Sequence, residues 1–330
     1  MATLKDIASL AGVPLSTVSY VLNRKGKVIK EKHKRILKIA KELNYVPNQK
    51  AISLVSGRAN NIGIILPQYS ESIFNDSFFA EVLYRLSVSL SKENNGLTLY
   101  SCIEDDIDSL NQYVSNGNTD GIIWYMSKIP DEIKETIKRR NIPFVIIIHK
   151  DEDMNYLAID DYSGQLKALT HLHELEHRKI LFLSSGDSSI RQKAYLDFIQ
   201  DKHLNFQKVL HSTHSEISTY SLMDHYLSEN GMDFTAIAAE TDVMAFGALQ
   251  ALSKWNIKVP EQVSLIGYDD IPLASKCNPP LTTVHQSIVQ MVEDALGIIF
   301  DILDNEKKEL TQKVYVHEVV TRNSTAICRD

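Results

Sequence analysis

The sequence has no run of about 18 apolar residues, so nothing in it suggests a membrane span. It has only three cysteines, Cys102, Cys277 and Cys328, far apart and without C-x-x-C spacing. That argues against a disulfide framework and for reduced thiols in a cytoplasmic protein. The opening MATLKDIASL lacks the basic-then-apolar order of a secretory signal, in keeping with a cytoplasmic location. The marks of common catalysts are missing too: no G-x-S-x-G, no phosphate-binding glycine loop, no nucleophile with a local base. In HLHELEH, His173 and His177 are four apart and His171 is close by, but no further ligand and no H-E-x-x-H glutamate accompanies them. No metal, no cofactor and no enzymatic activity are expected.

Acidic residues are scarce in one region only. Residues 1–60 hold 12 Lys and Arg against three acids, Asp6, Glu31 and Glu42, a charge of +9. The whole chain carries −7, which leaves −16 for the other 270 residues. A basic head on an acidic body is the electrostatic footprint of a polyanion binder, so the overall pI of 5.9 does not exclude DNA as partner. At 330 residues and 44% hydrophobic, the chain can bury a large core divided among two or three domains.

The head reads as three short helices. Leu4, Ile7, Ala8 and Ala11 recur at i, i+3, i+4, i+7 and form one apolar stripe. Gly12 follows, where a helix end can take a left-handed residue, and Pro14 suits the first turn of a new helix. Val18, Val21 and Leu22 make the inner face of that second helix, while Leu15, Ser16 and Tyr20 lie on another. A third helix, about 31–43, buries Ile36, Ile39, Ala40 and Leu43. A tight turn between the first two helices describes a helix-turn-helix whose second helix can enter a major groove. The stretch 45–60, between Pro47 and Gly57, predicts a short hinge helix and a linker, too short to be stable alone.

TLKDIASLAGVPLSTVSYVLN followed by ELNYVPN resembles the head of the lactose/galactose-repressor family of bacterial transcription regulators. The resemblance implies a DNA-binding head, a hinge helix and a sugar-sensing core that dimerises. Carried over position by position, it gives Leu15, Ser16 and Tyr20 the base-reading role. Thr3, Thr17, Ser19, Asn23 and Lys27 take the phosphates. Leu54 becomes the apolar wedge in the minor groove, with Ala51 beside it; the other reading makes Leu54 the anchor of a linker helix. The chain departs from the pattern at Pro14 and Ile29, where serine caps are usual, at Tyr20, where Arg is frequent, and at Ile52, where Arg commonly follows the hinge alanine. A phenol offers one hydroxyl and a ring for a thymine methyl, so the operator should differ at that base pair; alternatively Tyr20 packs back on the head.

Beyond Asn61, apolar runs at 62–66, 97–101, 121–125, 143–148, 179–183, 236–240 and 263–267 alternate with amphipathic stretches. The latter lie near 77–93, 131–140, 163–176, 190–202, 216–229, 242–254 and 288–304. This pattern predicts two α/β lobes with parallel sheets and a ligand cleft at the strands' carboxyl ends. The family resemblance continues through AIDDYSG, HLHELEHRKILFLSS, RQKAY, TDVMAFGALQAL and VSLIGYDDI, and so covers nearly the whole chain; it implies a core like that of periplasmic sugar-binding proteins. Here Glu176 and Ala194 stand where the family has glycine, and Thr241 where it often has Asn.

Arg191 and Asp269, a donor fork and a carboxylate on loops at strand or helix ends, suit paired sugar hydroxyls; Asp269 and Asp270 could instead cap a turn. Phe74, Phe78, His149, Asp160, Thr241 and Asp242 complete the expected effector contacts, with Asp160 alternatively crossover scaffolding and at least one phenylalanine in the core. LPQYSESIFNDSFFAEVL and IPFVIIIHKDE resemble the maltose-type repressors of the family.

The sequence is therefore read as a small all-α helix-turn-helix head, 1–46, a hinge helix and linker, 47–60, and an α/β periplasmic-binding-protein-like core, 61–330. Within the core the N-lobe takes about 61–158 and 288–318, the C-lobe about 159–287, and 319–330 is the chain end. Expected partners are a palindromic double-stranded DNA operator, a small carbohydrate and a second copy of the chain; a sugar sensor without a gene-regulatory role is the first alternative and a sugar-processing enzyme the second.

Overall fold

The structure is a computed structural model that describes residues 2–22, 30–45, 57–67, 73, 77–102, 106–187, 189–304 and 309–329. The chain forms two compact units, Met1–Asn60 and Asn61–Asp330.

In the first unit, α1 (Leu4–Ala11), α2 (Leu15–Leu22) and α3 (Lys30–Glu42) enclose Ile7, Ala11, Val18, Val21, Ile36 and Ala40. Thr3 and Asp6 close a capping box on α1: the Asp6 N–H donates to Thr3 Oγ1, and the Thr3 N–H donates to Asp6 Oδ2 at 2.8 Å. Gly12, at φ 64°, ends α1 in the left-handed conformation that turns the chain into α2. The carbonyl of Pro14 accepts from Thr17 and Val18, so α2 starts on a backbone acceptor.

The second unit holds two sheets of identical plan. Its strands are β1 (Asn61–Pro67), β2 (Gly96–Cys102), β3 (Gly121–Tyr125), β4 (Phe144–Ile147), β5 (Tyr156–Ile159), β6 (Ile180–Ser184), β7 (Lys208–His211), β8 (Ala236–Ala239), β9 (Ser264–Asp269), β10 (Thr282–His285), β11 (Gln312–Tyr315) and β12 (Glu318–Val320). The first sheet runs β11-β5-β4-β3-β1-β2 and the second β12-β10-β9-β8-β6-β7. All pairings are parallel except β10 with β12. The helices are α4 (Ser77–Lys92), α5 (Ile107–Ser115), α6 (Asp131–Arg140), α7 (Asp161–Glu174), α8 (Ile190–Asp201), α9 (Glu216–Asn230), α10 (Asp242–Lys254) and α11 (Ile288–Leu303).

Two-residue periodicity sends alternate side chains to opposite faces of each sheet. Ile123, Tyr125, Val145 and Ile147 join one cluster with residues of α4 and α11. Ile122, Trp124, Phe144 and Ile146 join another with residues of α5 and α6. Both faces are covered, which is why these strands appear in the sequence as unbroken apolar runs. The chain passes between the sheets three times: after β5 at Asp160–Asp161, after β10 at Gln286–Ser287, and after β11 at Val316–His317.

The chain end is strapped to the second sheet. Ser324 Oγ donates to the Leu265 carbonyl at 2.6 Å, and the Cys328 N–H donates to Leu175 O at 2.8 Å. Buried His177 lies between: Nδ1 is 3.0 Å from Thr235 Oγ1, and Nε2 is 2.9 Å from Ser264 Oγ and 3.0 Å from Ala326 O. Burial lowers its pKa below the usual 6.5. A histidine whose folded pKa lies below its unfolded one supports the fold above pH 6.5, and that support is lost as the pH falls below it. Urea unfolding at pH 7.5 and 5.5 should therefore show a drop in stability that shrinks in His177→Gln; an equal drop in both proteins would rule out this role.

Candidate functional site

The head has an exposed face on α2, the candidate reading face. On α2, Leu15 and Ser16 are exposed and Tyr20 is 56% exposed, outside the apolar cluster beneath. Thr17 and Ser19 are half-buried on the same helix. Thr3 is already engaged as the cap of α1, its hydroxyl 2.8 Å from Asp6 Oδ2, so a phosphate would have to share it. Along α3, Lys32, Lys34, Arg35, Lys38 and Lys41 are exposed. Asn23 and Lys27, and the hinge residues Ala51 and Leu54, lie outside the described residues, as does Phe74.

In the core, strand order marks a candidate ligand site. Each sheet reverses its winding between its first and third strands, β1 and β3 in one and β6 and β8 in the other. Crevices open at the carboxyl ends of strands flanking such a switch point. Four non-glycine residues at the carboxyl ends of β3, β4 and β9, beside these switch points, have positive φ: Met126 (60°), Ile148 (69°), Asp269 (114°) and Asp270 (55°). A β-branched residue in the left-handed region is uncommon, and such backbone conformations concentrate at binding sites.

The floor of the second lobe is built around Arg191, in the first turn of α8. Its Nε and one terminal nitrogen donate to Asp161 Oδ1 at 3.0 and 2.7 Å, and the other donates to the Glu240 carbonyl at 2.6 Å. Asp269 Oδ1 is 3.5 Å from that last nitrogen and accepts from Gln286 Nε2 at 2.6 Å. The guanidinium lies over the Tyr268 ring at 3.6 Å from its centroid, and the Tyr268 hydroxyl donates to Asp161 Oδ1 at 3.1 Å. Burial works against the Arg191 charge, yet Asp161, Tyr268, Asp269 and Glu240 hold its pKa above the ordinary value. Burial raises the Tyr268 phenol, which stays neutral. A fork of donors flanked by carboxylate acceptors matches paired hydroxyls on a small polar ligand.

Arg191 and Asp269 are thus brought together, and the other expected contacts are placed differently. Asp242 is fully enclosed: Oδ2 accepts from the Ile271 N–H at 3.0 Å and Oδ1 from Thr283 Oγ1 at 2.5 Å. Burial pushes its pKa up to about 7. It braces α10 against β9 and β10 instead of facing the cleft, because Gly267 leaves room for it; a Cβ there would sit 2.2 Å from Asp242 Oδ1. Thr241 caps α10 by accepting from Met244, and Asp160 caps α7 by accepting from the Ser163 N–H at 3.0 Å and hydroxyl at 2.7 Å. Phe78 is buried in the first lobe's core with Phe79 and Val82. His149 is half-buried just beyond β4, within electrostatic reach of Asp151. Among the described residues no cluster of His, Cys, Asp or Glu could hold a metal, and no helix is long and apolar enough to cross a membrane. His173 packs edge-on against Phe198, apart from the engaged His177.

The sequence did not single out Asp161, Tyr268, Gln286 or His317 as site residues. Asp161, Gln286 and His317 belong one each to the three passages between lobes, and all touch the Arg191 cluster or its stacking partner. His317 is buried with its ring edge-on to Tyr268 at 5.5 Å, and its carbonyl accepts from Lys167 Nζ at 2.7 Å. Gly164 allows this approach, since a Cβ there would lie 2.2 Å from the Tyr268 hydroxyl.

Two family models match the chain: bacterial regulatory proteins of the lacI family over residues 3–48, and a periplasmic binding protein-like domain over residues 169–325. The HTH-type transcriptional repressor PurR of Aliivibrio fischeri (strain MJ11) is 30% identical over 338 residues, covering 98% of both chains. The HTH-type transcriptional regulator CelR of Thermobifida fusca is 26% identical over 335 residues, again 98% of both. Among solved structures, a Lac repressor dimer bound to operator and the anti-inducer ONPF has a TM-score of 0.80 at 21% identity, covering 98% of this chain and 99% of that one. A CelR–cellobiose complex gives 0.67 at 24%, covering 98% and 100%. At these identities the structural likeness speaks to the fold alone.

Proposed function

The chain belongs to the lacI family of bacterial regulatory proteins, and from that premise we propose that it represses carbohydrate-utilisation genes under the control of a small sugar bound between its core lobes. Members of this family are DNA-binding transcription regulators, not enzymes. The proposed form is a homodimer on a palindromic operator, with the maltose-type sugars as first candidates for the effector. One observation carries the reading: the Arg191–Asp269 pair is tied to all three passages between the lobes, through Asp161, Gln286 and the Tyr268–His317 contact. A sugar hydroxyl pairing with this cluster competes with those ties. It therefore favours one lobe angle over another, and a ligand moves an equilibrium only by such differential contact.

The test is a gel shift of the full chain on genomic fragments, with and without sugars. A few fragments should be retained, and one sugar should change the bound fraction. Retention that no sugar alters would refute effector control. Retention of all fragments alike would refute sequence-specific repression.

Tyr20 supplies a second prediction. Its exposed phenol supports a base contact different from that of arginine, which grips guanine with two hydrogen bonds. Binding-site selection with Tyr20→Arg should move the preferred base at one symmetric pair of positions by about 1–3 kcal/mol per contact. Identical selected sites for both proteins would remove Tyr20 from the reading face.

A further inference from the structure

We propose that the cleft takes an uncharged ligand and disfavours phosphorylated or carboxylated ones, because on the second lobe's side, among the described residues, the chain's own carboxylates already occupy the anion-binding positions. This rests on the reading of the cleft as a sugar site and narrows the class of sugar.

In a sheet of this plan, the seat for a phosphate is the loop from the strand at the switch point into its helix, where backbone N–H groups and the helix's positive end converge. In the second lobe that loop joins β6 to α8, and its described residues are serines, Gly186 and Asp187. Among the described residues, the N–H groups of Ser185, Gly186 and Ser189 and the hydroxyls of Ser184 and Ser189 are spent internally. The Glu240 carboxylate, on the residue after β8 and only 4% exposed, accepts from the Ser185 N–H, from the Ser189 hydroxyl and, at 3.2 Å, from the Ser184 hydroxyl. Ser189 Oγ in turn accepts from the N–H groups of Arg191 and Gln192 at 3.2 and 3.3 Å, so the end of α8 already faces an acid through its cap. The Gly186 N–H donates to Ser184 Oγ at 3.3 Å, and the Ser189 N–H donates to the Gly186 carbonyl at 3.1 Å.

A second seat for an anion in this lobe is Arg191, and it too is matched. Three of its hydrogen bonds go to Asp161 and the Glu240 carbonyl, and the Asp269 carboxylate stands 3.5 Å away. One guanidinium among the carboxylates of Asp161, Glu240 and Asp269 leaves these four side chains at −2. Sugar hydroxyls donate as well as accept, so they can pair with carboxylates. A phosphate or carboxylate can only accept, and here it meets like charge. At the effective dielectric of a protein surface, one such contact about 6 Å apart weakens binding by roughly 100-fold.

The experiment measures the thermal shift of the full chain, with calorimetric titration of any ligand that stabilises it. The probes are glucose, maltose, cellobiose and ribose, the anions glucose 6-phosphate, ribose 5-phosphate and gluconate, and the uncharged nucleobases hypoxanthine and guanine. The expected result is a shift with a neutral sugar and at least about 100-fold weaker binding of its anionic counterpart. An anionic sugar that binds as tightly as its neutral form, or more tightly, overturns this inference and leaves the sugar reading standing. A shift with a nucleobase alone keeps the inference and overturns the sugar reading, and no shift with any probe sinks both. Glu240→Gln removes the charge from the loop while keeping an acceptor for Ser189. The discrimination against anions should narrow at least about tenfold in it, and an unchanged ratio in the folded variant would overturn the proposed cause.

Discussion

Arg191→Ala is expected to yield a repressor that still occupies its operator but no longer answers to any sugar, with a core less stable by about 3 kcal/mol. The stability loss follows from what the guanidinium holds. Its removal takes a counter-charge from Asp161 and buried Asp269 and strips the Glu240 carbonyl of a 2.6 Å bond. Breaking a buried pair from one side costs about 3–5 kcal/mol, and the partial exposure of Asp161 places this case at the lower end. The loss of response follows because Arg191 joins the proposed ligand contacts to the first passage between lobes. Arg191→Lys separates the two effects. An ammonium keeps the charge but cannot serve Asp161 and the Glu240 carbonyl with one planar fork, so the fold should largely survive while the response is lost. Urea unfolding of the core transition and operator release by sugar are the two readouts. Wild-type stability together with wild-type release in Arg191→Ala would sink both arguments.

The same cluster marks how far the sequence could be read. Strands buried on both faces were legible as apolar runs, since no solvent-facing side chain interrupts them. The short strands β5, β7, β10, β11 and β12 were not: β11, QKVY, buries only Tyr315, and β12 is three residues held by pairing with β10. Whether such segments become strands depends on a neighbour far along the chain. Among the helices, α5 was overlooked: it is short, with Leu110 and Val114 buried and Ile107 and Tyr113 only partly so. Of the residues proposed for the cleft, Arg191 and Asp269 were picked out by residue type and by position at element ends. Asp161, Gln286 and His317 were not, because they converge only once the chain has crossed between lobes three times. Asp242 misled for the opposite reason. Its place at the end of β8 points to the cleft, and only the missing Cβ of Gly267 lets its carboxylate turn inward. Glu176 shows a family glycine's backbone retained without the glycine, at φ 67° just beyond α7.

Operator binding is expected to weaken steeply with salt, by about 10³ to 10⁵ between 50 and 200 mM for 6–10 phosphate contacts per complex. The charge division makes this a test of the head. Residues 1–60 carry +9 and the remaining 270 carry −16, so the body repels DNA and the attraction must come from the head. Each phosphate neutralised releases counterions, giving a slope of about −0.9 per contact in a plot of log affinity against log salt. Contacts to base edges release none, so Tyr20→Arg should change the preferred sequence and leave that slope unaltered. Lys27→Gln should lower the slope by about one for each head bound, while reducing affinity alike on all sequences. The uncharged ligand proposed for the cleft predicts a contrast within the same molecule: sugar affinity should hardly move over the same salt range, because no counterion is displaced when it binds. A shallow slope for operator binding would mean that phosphates are not the head's main contacts. A sugar affinity falling in parallel would mean that the cleft takes an anion after all.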